Sequence, residues 1–266
     1  MAQAAVAMGS AGLAQEAVYV YGSDLAGAQQ GDSASLAVHA FGASPAQVSG
    51  TSGHAYALPC ANSAGEPFEV GVLKNYVQTF LAHARVHERT PFHVTRLTRE
   101  TGQSAETRMA GLFAGAPANC QLPGLWSAIL DARQPTRLLI FDPGARLAEA
   151  VWQQRLQRYL ALNQPLWGTS SVELVSVGLA RTLVANDAAA RKLGLGHRVI
   201  GANESAFGRL ATGVAEHKAI WYATRLLCIV DFDQTAQPQQ VRMMGAATRN
   251  GLPIDQLDTA DSNAAS

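Results

Sequence analysis

Arg137-Leu138-Leu139-Ile140-Phe141 is an apolar run without polar alternation. Such a run marks a strand covered on both faces, as in a parallel sheet flanked by helices. The residues C-terminal to this run constrain the fold further. Val151, Trp152, Leu156, Tyr159 and Leu160 make a helical stripe within residues 148–162. Val172 to Val177 then reads as a strand, 183–193 as a helix, and His197 to Ile200 as a short strand. Residues 214–222 read as a helix, Leu226 to Val230 as a strand and 239–249 as a helix, with Gly251 as its C-cap. Alternation of this kind predicts a doubly wound, Rossmann-like α/β sheet.

The first half alternates too. Val18-Tyr19-Val20-Tyr21 is a β-branched and aromatic strand stopping at Gly22, and residues 34–41 have a short helical pattern. Ala55-Tyr56-Ala57-Leu58 reads as a strand halted by Pro59. Between Phe68 and His87, Val70, Leu73, Val77, Phe80, Leu81 and Ala84 share one helical face. Phe92 to Thr95 is the next strand and Ala105 to Phe113 the next helix. Pro117, Pro123, Gly124 and Pro135 punctuate residues 116–136, which places a domain boundary there. The expected organisation is an arm at 1–16, a domain at 17–126, a second at 127–257 and a tail at 258–266. Both ends are small and polar enough to be mobile unless a partner holds them.

Composition removes several classes of function. The 266 residues carry 20 basic and 20 acidic side chains, so no basic excess favours nucleic acid. No apolar run approaches the ~18 residues a membrane span needs. The first residues lack the basic flank of a secretory signal. Three scattered cysteines, Cys60, Cys120 and Cys228, make neither a disulfide framework nor a zinc site, and are expected as buried free thiols of an intracellular protein.

Candidate chemistry is sparse. Gly22-Ser23-Asp24-Leu25-Ala26-Gly27 follows the first strand and is the one turn resembling a phosphate cradle, though it is neither a Walker loop nor GxGxxG. Gly178 and Arg181 follow the strand at 172–177. His83 and His87 are four apart but lack the glutamate of a zinc protease, and read as a solvated helix face. His217, with Glu216 and Lys218, reads as part of a polar first helical turn, and His39 and His93 as core or boundary residues. Asp142, Asp231 and Asp233 sit at strand exits, where turn chemistry is the simpler reading. No GxSxG elbow and no Cys–His pairing is present, so no catalytic residue, metal or cofactor is expected.

Two resemblances extend this reading. VYVYGSDLAG (18–27), AYALPC (55–60), LKNYVQTFLAHA (73–84), FHVTR (92–96) and the pairs Leu112-Phe113, Ala116-Pro117, Asn119-Cys120 and Leu122-Pro123 together resemble a macrodomain-related phage non-structural protein family. Its loops differ: the family's RHGxGAA stands here as AQQGDSA (28–34), and its glycine-rich GCGLAGY as TRETGQS (98–104). Residues 137 to about 256 are similar to the SLOG nucleotide-binding superfamily. Its SGGARGAD loop aligns with Ser176–Leu183, with Ala180 and Leu183 in place of the Arg and Asp. Its AGPIRN corresponds to residues 212–217 without the Arg and Asn. The resemblances imply a macrodomain-like three-layer domain followed by a SLOG-type doubly wound domain.

They also imply nucleotide-like ligands, while the exchanged residues are those that would touch phosphate. Each lost charge-assisted contact removes roughly 1.5–3 kcal/mol. The function expected first is therefore a non-enzymatic structural or assembly component of a phage or prophage, built on degenerate nucleotide-binding folds. Its expected partners are other protein subunits in an oligomer or larger assembly, in the infected host's cytoplasm or the virion. The alternative is a module that senses or sequesters an NAD-derived or cyclic nucleotide. Gly22, Ser23, Asp24, Gly27, Gly178 and Arg181 would then be the remaining contacts, with Arg99, Arg181 or Arg209 replacing what is lost.

Overall fold

The structure, a computed structural model, describes residues 17–28, 31–97, 100, 102–142, 148–169, 171–178, 180–231 and 235–259. The expected N-terminal arm, nearly all of the tail, Arg99 and Asp233 lie outside them. The chain is α/β, with two five-stranded sheets.

The first sheet comes from β1 (Val18–Asp24), α1 (Asp32–Phe41), β2 (Gly50–Ser52), β3 (Ala55–Ala61), α2 (Val70–Val86), β4 (Phe92–Val94), α3 (Gln103–Leu112) and β5 (Cys120–Gln121). Its order is β2-β3-β1-β4-β5, with only β2 antiparallel to its neighbour. Alternation along the strands sorts the core into two layers. Val20, Tyr56 and Leu58 pack under α2 and α3 with Val77, Phe80 and Met109. Tyr19, Tyr21, Ala55 and Ala57 pack under α1 with Ala34, Ala37 and Phe41. Because β1 and β3 are covered on both faces, they read in sequence as unbroken apolar runs.

Between the sheets runs α4 (Gly124–Leu130), whose Trp126 joins the core beneath α3. The second sheet comes from β6 (Thr136–Phe141), α5 (Glu149–Asn163) and its 3-10 extension Gln164–Trp167, β7 (Val172–Val177), α6 (Ala180–Leu193) and β8 (Gly196–Ile200). After α7 (Glu204–Phe207) and a 3-10 turn come α8 (Ala211–Tyr222), β9 (Arg225–Val230), α9 (Pro238–Arg249) and β10 (Ile254–Asp258). All strands are parallel in the order β10-β9-β6-β7-β8, so the winding reverses between β6 and β9. Residues 143–147 and 232–234, which leave those two strands at the reversal, fall outside the described residues.

Several expectations need correction. Pro59 does not halt its strand but lies inside β3, opposite Ser23. Pairing with β2 ends at Ala57, so beyond that point the missing N–H of Pro59 costs no ladder bond on that side. Val70 and Val151, placed on apolar stripes, are exposed. His39 bonds the carbonyl of Ser35 one turn back, on a face of α1 away from the core. His217 lies in the middle of α8 rather than in its first turn.

α8 ties the two sheets together. Its Val214, Ala215, Ala219 and Ile220 are buried, and the last three join the core of the second sheet. From its other side the Trp221 indole donates to Val94 O at 2.7 Å, and His217 reaches Tyr19. A helix buried on more than one side shows no single apolar stripe. That explains why its packing role is hidden in the sequence.

Candidate functional site

The carboxyl ends of β1 and β3, together with the residues just beyond β4, open onto a cleft of about 390 Å³. This is where doubly wound and related sheets place ligands, because strand exits and helix N-termini turn backbone amides towards the same space. Gly22, Ser23 and Asp24 line it from β1, and Gly31, Asp32 and Ser33 from the start of α1. Cys60, Ala61, Pro67 and Leu97 supply apolar wall, and Arg96, His217 and Arg249 supply polar groups.

Much of the glycine-rich turn is occupied with holding itself together. Asp24 Oδ1 accepts from the amides of Ala26 and Ala28 at 3.0 and 2.9 Å, closing the turn with its carboxylate. Ser23 donates its hydroxyl to Val48 O at 2.5 Å. A Cβ on Gly22 would lie 2.8 Å from Leu97 O, so the residue must be glycine for the strand end to pack. Gly27 has φ +67° and sits against the backbone of Ala46, away from the cleft lining. Among the described residues no side chain caps α1, whose N-cap is Gly31.

Two arginines unforeseen in the sequence dominate the rim. Arg96 pairs with Glu106 at 2.5 Å and donates to the carbonyl of Arg249. The Glu106 carboxylate, only 1% exposed, also accepts from the Trp126 indole at 2.7 Å. Arg249 at the end of α9 bridges to Asp32 at 2.6 Å, closing the cleft with one ion pair between the two sheets' helices. Arg96 stands in the FHVTR motif but carries no sign of a site there. Arg249 bridges to a residue 217 positions away, a pairing no local pattern reveals.

His217 faces the same cleft and its Nε2 hydrogen-bonds the Tyr19 hydroxyl at 2.9 Å. Burial pushes its pKa down to about 4, against the opposing pull of Asp32. The neutral imidazole is therefore the resident form at pH 7.

The other candidates lie elsewhere. Gly178 and Arg181 are exposed at the β7–α6 turn and do not line this cleft, nor does Arg209. His83 and His87 lie side by side with ring centroids 4.1 Å apart. Among the described residues no group of three metal-ligating side chains forms. Cys60, Cys120 and Cys228 are free and buried. Burial raises each thiol, Cys120 to about 11 and Cys228 to about 12.

One arrangement hidden in the sequence has the outline of a nucleophile, base and orienting acid. Ser176 Oγ lies 2.9 Å from His197 Nε2, and His197 Nδ1 lies 3.3 Å from Asp187 Oδ1. Ser176 is nevertheless 0% exposed and accepts a 2.8 Å bond from Asn186, itself buried. It lines neither this cleft nor a second one between the sheets. A nucleophile needs access to its substrate, so this chain of bonds serves to satisfy buried polar groups.

Comparison with protein-family models, with curated proteins and with solved structures found no match for this chain.

Proposed function

We propose that this protein is a non-enzymatic binding module for a nucleotide-like small molecule of the NAD-derived or cyclic class. The observation that carries the reading is the position of the 390 Å³ cleft, at the carboxyl ends of β1 and β3 and beside the start of α1, whose N-cap is Gly31. The macrodomain and SLOG likenesses of the two halves support it at the level of ligand class. A phosphate in this cleft would meet the first amides of α1 and compete with Asp32 for Arg249. Binding without turnover fits the side chains present. Ser23 is committed to Val48, the Cys60 thiol is held protonated by burial, and His217 is turned to Tyr19.

A thermal-shift panel of ADP-ribose, NAD, cyclic ADP-ribose and ATP tests this directly. A ligand at 100 times its dissociation constant adds about 2.7 kcal/mol, hence a rise of several degrees. No rise with any of them at millimolar concentration would remove the reading.

A second reading, a structural or assembly component, is favoured by one observation. Leu162 and Leu166, at the end of α5 and in its 3-10 extension, are 65% and 80% exposed. Under that reading the protein self-associates, and Leu166→Glu returns it to monomers in light scattering.

A further inference from the structure

A second cleft, of about 330 Å³, lies between the two sheets and shares no lining residue with the first. His93 of β4 and Gln121 of β5 face it from one sheet. Arg137 of β6, Arg198 of β8, and Lys218, Trp221 and Tyr222 of α8 face it from the other.

Its charges do not cancel. Glu173 of β7 is the one carboxylate the described residues bring to these cations. Its Oε1 lies 3.2 Å from Arg198 Nε, its Oε2 lies 3.8 Å from Arg137 Nε, and Oε2 accepts the Tyr222 hydroxyl at 2.7 Å. Lys218 is left over. It is 6% exposed, and among the described residues its ammonium makes no ion pair or hydrogen bond. The ammonium lies 5.4 Å from the centre of the Phe207 ring. Two Arg and one Lys against one Glu leave a net charge of about +2 at the cleft.

Its hydrogen-bonding capacity is unmet as well. His93 is 1% exposed, its ring centre lies 3.9 Å from that of Trp221 at a 39° tilt, and among the described residues neither ring nitrogen has a hydrogen-bond partner. The Gln121 side chain lies beside the ring and favours its charged form, against the burial. Arg137 Nε is likewise buried without a hydrogen-bond partner. Burial, and the nearness of His217 and Lys218, hold the His93 imidazole well below its usual range. Buried polar groups without partners carry a penalty that folded proteins rarely tolerate. Here they converge on one space large enough for a small molecule.

We propose that this second cleft binds a phosphomonoester-type dianion, with Lys218, Arg198 and Arg137 taking the phosphate oxygens and His93 completing the ring of polar contacts. Two negative charges match the excess of two. The guanidinium carbons of Arg137 and Arg198 lie over the Tyr222 ring, 4.4 and 4.7 Å from its centre, so that ring holds the two cations, and the Trp221 indole lines the cleft as apolar surface for an organic substituent. The site uses residues apart from the nucleotide cleft and stands whether or not that cleft is occupied.

The test is thermal unfolding and titration calorimetry with inorganic phosphate and phenyl phosphate, against chloride at matched ionic strength. Wild type should gain several degrees with either phosphate compound, more with phenyl phosphate. Lys218→Met should unfold in chloride at or above the wild-type temperature, because among the described residues the lysine makes no ion pair or hydrogen bond that would be lost, and should lose most of the phosphate response. Arg198→Gln, at a more exposed position, should weaken phosphate binding at least tenfold. Arg249→Ala, in the other cleft, should leave it unchanged. No phosphate response in wild type overturns the proposal. So does a Lys218→Met protein that is destabilised yet responds like wild type, which would make the lysine a packing residue. A response abolished by Arg249→Ala instead would place the anion in the first cleft, ending this inference while leaving the nucleotide reading intact.

Discussion

Tyr19 and His217 meet at 2.9 Å across 198 positions of sequence, the first from the buried face of β1 and the second from the middle of α8. Tyr19 also stacks on Phe41 at 4.3 Å and on His93 at 5.7 Å, and the His93 ring in turn meets the Trp221 indole at 3.9 Å. The line from Phe41 to Trp221 therefore crosses from the first sheet's helix layer to α8 through packed rings, with His93 held neutral inside it and neutral His217 bonded to its Tyr19. Any change in the charge of those histidines acts on the seam between the sheets.

The sign of that effect comes from the lowered pKa values. His217 titrates near 4 in the fold against about 6.5 in an unfolded chain, and His93 is lowered as well. Between those values the unfolded state binds more protons, so stability falls as pH drops from about 6.5 towards 4. Each such histidine contributes a slope of up to about 1.4 kcal/mol per pH unit in that window. Urea unfolding at pH 7, 6, 5 and 4.5 measures it, and His217→Gln should flatten the profile. A flat wild-type profile would show that these imidazoles are not neutral in the seam.

Close backbone approach at the same seam makes two glycines irreplaceable. A Cβ on Gly124, at the start of α4, would lie 2.0 Å from the carbonyl oxygen of Tyr222 at the end of α8. On Gly251, at φ +67°, it would lie 2.4 Å from a Glu106 carboxylate already pinned by Arg96 and Trp126. Alanine at either site should cost about 1–3 kcal/mol in chemical denaturation. Gly213, in α8 with open space around it, is the control. Alanine there should be neutral or stabilise by up to about 1 kcal/mol.

The three thiols should be inert in the folded protein. All are buried, and Cys60 donates to Leu58 O. Since thiolate is the reactive form, a thiol-specific chromogenic reagent should titrate none at pH 7 and all three after denaturation. Rapid reaction of any one under native conditions would contradict the packing described for it.

How much of this is legible in the sequence depends on whether a pattern is local. β6, β7 and β9 announce themselves because burial on both faces leaves runs such as Leu138–Phe141 without a polar residue. β5 is two residues, Cys120 and Gln121, too short for any period, and α4 reads as a proline-punctuated link because its signal is a single buried Trp126. The Gly22–Gly27 turn is legible, yet Asp24 and Ser23 serve the turn itself. Lys218 reads as part of a polar helix start, and only the fold shows it buried against a second sheet. Arg96, Arg249 and His217 come together from elements far apart in the chain, which no spacing rule can anticipate.

The ion pair between Asp32 and Arg249 is where nucleotide binding is tested most directly, because it occupies the cation a bound phosphate would use. Calorimetric titration of ADP-ribose into wild type and Asp32→Ala compares the two directly. Saturable binding to wild type is predicted, and binding tighter by roughly 5- to 100-fold once Arg249 is released, the ~1–3 kcal/mol of a charge-assisted contact. Arg249→Ala should weaken it. Absence of binding to both wild type and Asp32→Ala at millimolar ligand would contradict the nucleotide-binding reading and leave the cleft as a seam between two sheets.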